Sequence, residues 1–165
     1  MEYPIDPQSV KIVLFVCTGN VCRSPFAAGL LSKLMEPHRK IRVFSAGISA
    51  SPGSVATLEA VQIAEGYGVV MTEHKASALS LVLLEQADLV FCMEESHRNL
   101  ILNVRPEWAG KVVLLDTVRA DHLEEDGQDI IDPYGLGLEI YQQVFKSVAT
   151  RVSDLVKWLK SAPAE

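Results

Sequence analysis

The chain has 165 residues, 48% of them hydrophobic, enough for one domain with a substantial core. A formal charge of −6 argues against a general nucleic-acid or membrane-surface binder, and no apolar run approaches the roughly 20 residues that span a bilayer. Three cysteines do not make a secreted disulfide framework, and the first residues lack a basic-then-apolar leader pattern, so a reducing cytoplasm is the expected location.

Residues 1–9, with Pro4 and Pro7, read as a short tail, and residues 10–165 as one domain without repeats or an internal linker. Residues 10–16 are a near-continuous apolar run, the pattern of a strand buried on both faces of a parallel sheet. That strand delivers Cys17 into the loop Cys17-Thr18-Gly19-Asn20-Val21-Cys22-Arg23. Ser24-Pro25 then opens a helix, with Phe26, Leu30, Leu34 and Met35 at helical spacing, closed by Pro37 and His38-Arg39-Lys40. Residues 41–44 predict a second strand, stopped at Ser45-Ala46-Gly47. After a Ser- and Gly-rich loop, residues 55–65 predict a helix closed by Gly66. Residues 79–86 read as a short helix, 89–93 as a third strand, 94–103 as a helix and 111–115 as a fourth strand. A long acidic loop, 117–136, leads to a final helix with Tyr141, Val144, Phe145, Val148, Val152, Leu155, Val156 and Leu159 on one face. Strands alternating with helices predict a single-domain α/β fold: a four-stranded parallel twisted sheet, helices on both faces, and a phosphate-binding loop after the first strand. Ligands of such sheets sit beyond the C-terminal strand ends, where Cys17 falls.

A strand that ends in a loop at a helix N-terminus aims successive backbone N–H groups at one point, with the helix dipole behind them. Cys17 begins that loop, so its sulfur can sit at the bottom of an anion cradle. Arg23 ends it, and a planar guanidinium holds two phosphate oxygens at once. The field that holds a dianion also favours thiolate over thiol at such sites. A nucleophile beneath a bound phosphate is the makings of a phosphatase. The carboxylates of the acidic loop (Asp121, Glu124, Glu125, Asp126, Asp129 and Asp132) are not separable as general acids on residue type alone. His38, His97 and His122 show no metal-ligand spacing and read as ordinary histidines. Cys92, Trp108 and Trp158 read as packing residues.

The filled-in loop Cys17-Thr18-Gly19-Asn20-Val21-Cys22-Arg23-Ser24-Pro25, with the distant Asp132-Pro133-Tyr134, resembles the low-molecular-weight protein tyrosine phosphatase family from about residue 11 to 160. The resemblance implies a metal-free, cofactor-free hydrolase acting on phosphorylated proteins. It implies that Cys17 is the nucleophile, Arg23 a phosphate ligand and Asp132 the general acid and then base. It also implies a phosphate loop of Thr18, Gly19, Asn20, Val21, Cys22 and Ser24, locked by Ser45 and His74. Cys22 matches a second loop cysteine that pairs reversibly with the nucleophile under oxidation. A monomer or weak dimer is expected.

The pocket wall (Val21, Ser51, Tyr134) gives mixed signals about substrate. Val21 stands where the family's arginine-phosphatase branch has threonine, and its aliphatic side chain suits a phenyl ring. Ser51 and Gly135 stand where tyrosine phosphatases often carry aromatics. Phosphotyrosine is the preferred reading and phosphoarginine the alternative. Two further alternatives are a thioredoxin-coupled arsenate reductase, which needs relay cysteines the chain lacks, and a catalytically dead phosphoprotein-binding module, which would keep the cradle while losing the nucleophile or acid, whereas Cys17, Arg23 and Asp132 are all present.

Overall fold

An apolar strand with parallel neighbours on both sides has no solvent face, and β1 (Ile12–Cys17) fits that rule: Val13 to Cys17 are all buried. In this computed structural model, which describes residues 5–161, β1 lies between β2 (Arg42–Gly47) and β3 (Leu89–Cys92). β4 (Val112–Leu114) completes an all-parallel sheet in the order β2-β1-β3-β4. The chain runs outward from β1 to β2 and crosses back to β3. Strand order therefore reverses between β1 and β3, which is where such sheets open a crevice at their C-terminal ends.

Side chains alternate across the sheet with period two. Val13, Phe15, Leu89 and Phe91 share one core with α1 (Arg23–Met35), α2 (Leu58–Gly66) and α5 (Leu138–Lys160). Leu14, Val16, Val90 and Cys92 face α3 (Leu81–Gln86) and α4 (Glu95–Val104). Phe26 of α1 stacks on Phe145 of α5 with ring centroids 4.3 Å apart, closing the first core over β1. Among the described residues no helix is long and apolar enough to cross a membrane.

Differences from the sequence reading have local causes. The helix expected from residue 55 begins at Leu58, because Val55 pairs with Lys75 and Thr57 caps the helix through Ala60 N–H. The strand expected over 41–44 runs on to Gly47, paired residue by residue with β1. Residues 1–4 of the expected tail, and 162–165 of the expected domain, lie outside the described residues. Within the expected short tail, Pro7–Ser9 forms a 3-10 turn. Arg39 fastens it, donating to the carbonyls of Pro7 (2.6 Å), Val10 (3.0 Å) and Leu159 (3.2 Å). The acidic loop is also pinned: Asp116 accepts from Gln128 N–H at 2.8 Å and Asp129 from Glu95 N–H at 2.7 Å.

Candidate active site

Asn20 organises the turn between β1 and α1. It adopts φ +56°, a left-handed conformation that asparagine tolerates better than most residues, and it is fully buried. Its Nδ2 donates to Ser24 Oγ at 2.7 Å and to Ser45 Oγ at 2.9 Å, and its Oδ1 accepts from Ser77 N–H at 2.9 Å. His74 Nε2 donates to its carbonyl at 2.7 Å. Gly47 lets β2 approach this closely, since a Cβ there would lie 2.5 Å from the Thr18 carbonyl oxygen.

The Cys17 sulfur lies 2.8 Å from Ser24 Oγ and 3.3 Å from the Asn20 N–H. Because Asn20 Nδ2 already donates to Ser24 Oγ, the serine proton is left for the sulfur. Two donors thus converge on Cys17 at the floor of a cleft of about 430 Å³. Val21, Ser51, Val55 and Tyr134 line its walls and Asp132 its rim.

Arg23 is 1% exposed, so its partners decide its role. Nη1 donates to Ile130 O at 2.6 Å and to Glu94 Oε2 at 3.0 Å; Nη2 faces Thr18 Oγ1 at 3.4 Å and Asp132 Oδ2 at 3.7 Å. Nε is buried without a hydrogen-bond partner among the described residues. One end of the guanidinium is clamped, while the side-on edge formed by Nε and Nη2 keeps donor capacity for a two-oxygen ligand.

Asp132 Oδ1 accepts from Tyr134 N–H at 3.1 Å, an Asx turn that orients the carboxyl. The Cys22 thiol points at the same oxygen from 3.9 Å. Burial pushes the Cys22 pKa up to about 12, helped by the neighbouring Cys17 and Asp132, so it stays a thiol at neutral pH.

Of the expected site residues, Cys17, Thr18, Gly19, Val21, Cys22, Arg23, Ser51, Asp132 and Tyr134 line the cleft, and Asn20, Ser24, Ser45 and His74 form the hydrogen-bonded network behind it. Two that sequence reasoning missed are Glu94, which clamps Arg23, and His97, read from the sequence as an ordinary histidine but 5% exposed and 2.9 Å from Thr18 Oγ1. A signal for them existed. They follow β3 after Met93, in the Glu-x-x-His spacing of a reciprocal helix cap, at the strand end bordering the crevice. His122, by contrast, is a surface residue paired with Asp121 at 2.6 Å, and that hydrogen bond raises its pKa. Cys92 is buried within β3, and burial pushes its thiol up to about 12.

Asn20→Ala is expected to cost about 2–4 kcal/mol of stability, from left-handed strain and stranded polar partners. Asn20→Gly should recover the strain share alone. Urea unfolding of both variants checks this.

A family model described as low molecular weight phosphotyrosine protein phosphatase matches residues 12–164. The chain is 34% identical over 149 residues to a protein-arginine-phosphatase of Bacillus subtilis, covering 90% of this chain and 96% of that one. It is 31% identical over 152 residues to the probable low molecular weight protein-tyrosine-phosphatase EpsP of Ralstonia nicotianae, covering 92% and 98%. The crystal structure of a YwlE mutant from Bacillus subtilis superposes with a TM-score of 0.80 at 33% identity, covering 92% of this chain and 99% of that one.

Proposed function

The chain belongs to the low molecular weight phosphotyrosine protein phosphatase family, and from that premise we propose that it hydrolyses phosphotyrosine on proteins through a cysteinyl-phosphate. The observation that carries the chemistry is the pair of donors on the Cys17 sulfur in the cleft that Arg23 also lines, where the Arg23 Nε is buried with no hydrogen-bond partner among the described residues. Loop N–H groups and Arg23 Nε and Nη2 hold the equatorial phosphate oxygens and the charge they carry in the transition state. The S–P bond forms as the bond to the tyrosine oxygen breaks, and Asp132 protonates that oxygen. Asp132 then takes a proton from water, whose oxygen displaces Cys17 and releases inorganic phosphate.

Val21, Val55 and the exposed Tyr134 ring support phosphotyrosine, since together they offer a phenyl ring apolar contact. A second reading, phosphoarginine, is favoured by the polar side of the cleft, where Ser49, Ser51, Ser54 and Thr57 suit a planar guanidino group. An apolar wall contact is worth about 1–3 kcal/mol, so the choice is a rate ratio rather than an exclusion. Phosphotyrosine and phosphoarginine versions of one peptide should differ in kcat/KM in favour of phosphotyrosine. Arginine preference by tenfold or more would transfer the assignment.

On this reading residues 10–165 form one catalytic domain, acting in the cytoplasm as a monomer or weak dimer, on proteins rather than nucleic acid or membrane. Cys92, buried inside β3, is unsuited to the outward disulfide relay of an arsenate reductase. Under oxidation Cys22 attacks a Cys17 sulfenic acid, forming the S–S bond and releasing water. Its raised pKa makes this attack slow at neutral pH and faster in base. Thiol-recoverable activity after peroxide treatment should therefore increase with pH, and Cys22→Ser should abolish the increase.

A further inference from the structure

Nothing in this reaction uses His97, yet its ring is packed between the phosphate loop and α4. His97 Nδ1 lies 3.2 Å from the Glu94 backbone N–H. That group can only donate, so Nδ1 accepts and the neutral ring carries its proton on Nε2. Nε2 in turn lies 2.9 Å from Thr18 Oγ1 and 3.2 Å from Glu94 Oε2. Those two oxygens are the ones that face Arg23 Nη2 and Nη1. A single N–H therefore ties together two acceptors that fix the guanidinium plane.

We propose that His97 is a positioning residue for phosphate binding: as the Nε2–H tautomer it holds Thr18 and Glu94, and through them aims the Nε–Nη2 edge of Arg23 at the dianion. This rests on Arg23 being the phosphate ligand in the reaction above. A second proton, on Nδ1, would set that N–H against the Glu94 N–H and open the reciprocal cap of α4 from which Glu94 reaches Arg23. The charged groups facing the ring are Glu94 at the start of α4, Arg23 of α1, and Asp129 and Asp132 of the acidic loop. Burial lowers the His97 pKa and Arg23 adds to it, outweighing the opposing carboxylates. The lock is closed at neutral pH and opens as pH falls below the ordinary histidine range.

His97→Ala and His97→Gln test this. Glutamine at this capping position accepts the Glu94 N–H through Oε1, donates to Thr18 through its amide, and does not titrate. Alanine is expected to weaken inorganic phosphate, measured by calorimetry, and to lower kcat/KM on an aryl phosphate, each by about tenfold. Glutamine should restore both to within about threefold of wild type. Between pH 7 and pH 5 the wild-type enzyme should lose phosphate affinity faster than His97→Gln, a ratio in which the titration of phosphate itself cancels. Nitrogen-15 shifts of the ring should report Nε2–H at pH 7. An alanine variant that keeps phosphate affinity and loses only thermal stability would reduce His97 to a helix cap and overturn the proposal. So would a glutamine variant as weak as alanine, a flat affinity ratio, or an Nδ1–H tautomer. Absence of Cys17-dependent turnover in the wild type would sink the reaction instead, while calorimetry would still read the lock.

Discussion

Serine in place of Cys17 is expected to lower kcat by on the order of 10⁴-fold or more, with inorganic phosphate still bound to within about threefold of wild type. The two readouts separate because they depend on different atoms. Phosphate affinity comes from the loop N–H groups and Arg23, whose clamp by Glu94 and Ile130 O does not involve position 17. Turnover needs a sulfur anion in line with phosphorus. A serine hydroxyl has no adjacent base to activate it, since its neighbours, Asn20 N–H and Ser24 Oγ–H, both donate. Steady-state hydrolysis of an aryl phosphate, with phosphate calorimetry on the same protein, makes the comparison. Turnover within tenfold of wild type would remove Cys17 from the chemistry; lost phosphate binding would mean the cradle had collapsed.

The parts of the site legible in the sequence are those whose signal is local. The apolar run into Cys17, the Asn20 turn and the Ser24-Pro25 helix start occupy one continuous stretch, and backbone rules place its N–H groups without knowledge of the rest. The one-faced apolar pattern of α5 is equally local, and its residues close the core over β1. What stayed hidden is which distant groups satisfy the buried Arg23. Glu94 lies 71 residues away in sequence and meets Arg23 because β3, not β2, borders β1 on the crevice side. Strand order is set by the packing of both sheet faces at once, so no window of sequence contains it. Asp129 was hidden for the same reason: as one acid among several it looks solvated, yet it caps α4 through Glu95 N–H.

Asp132→Asn is expected to slow phosphotyrosine peptide and phenyl phosphate by about 10²–10³-fold, and 4-nitrophenyl phosphate by about tenfold or less. A phenoxide with an ordinary pKa leaves badly unless a proton arrives with it, whereas nitrophenoxide departs as the anion. Asparagine keeps the oxygen that accepts the Tyr134 N–H, so the Asx turn and the side chain's place on the rim survive the exchange. Losing the carboxylate 3.7 Å from Arg23 Nη2 removes a negative charge from the neighbourhood of the dianion, so phosphate should inhibit more tightly even as kcat falls. Slower chemistry with tighter product is a signature that misfolding does not produce. Equal losses across the leaving groups would deny Asp132 the acid role. Little else stands ready to take it: among the described residues lining the cleft Asp132 is the carboxylate, and Asp129 is held at the N-terminus of α4.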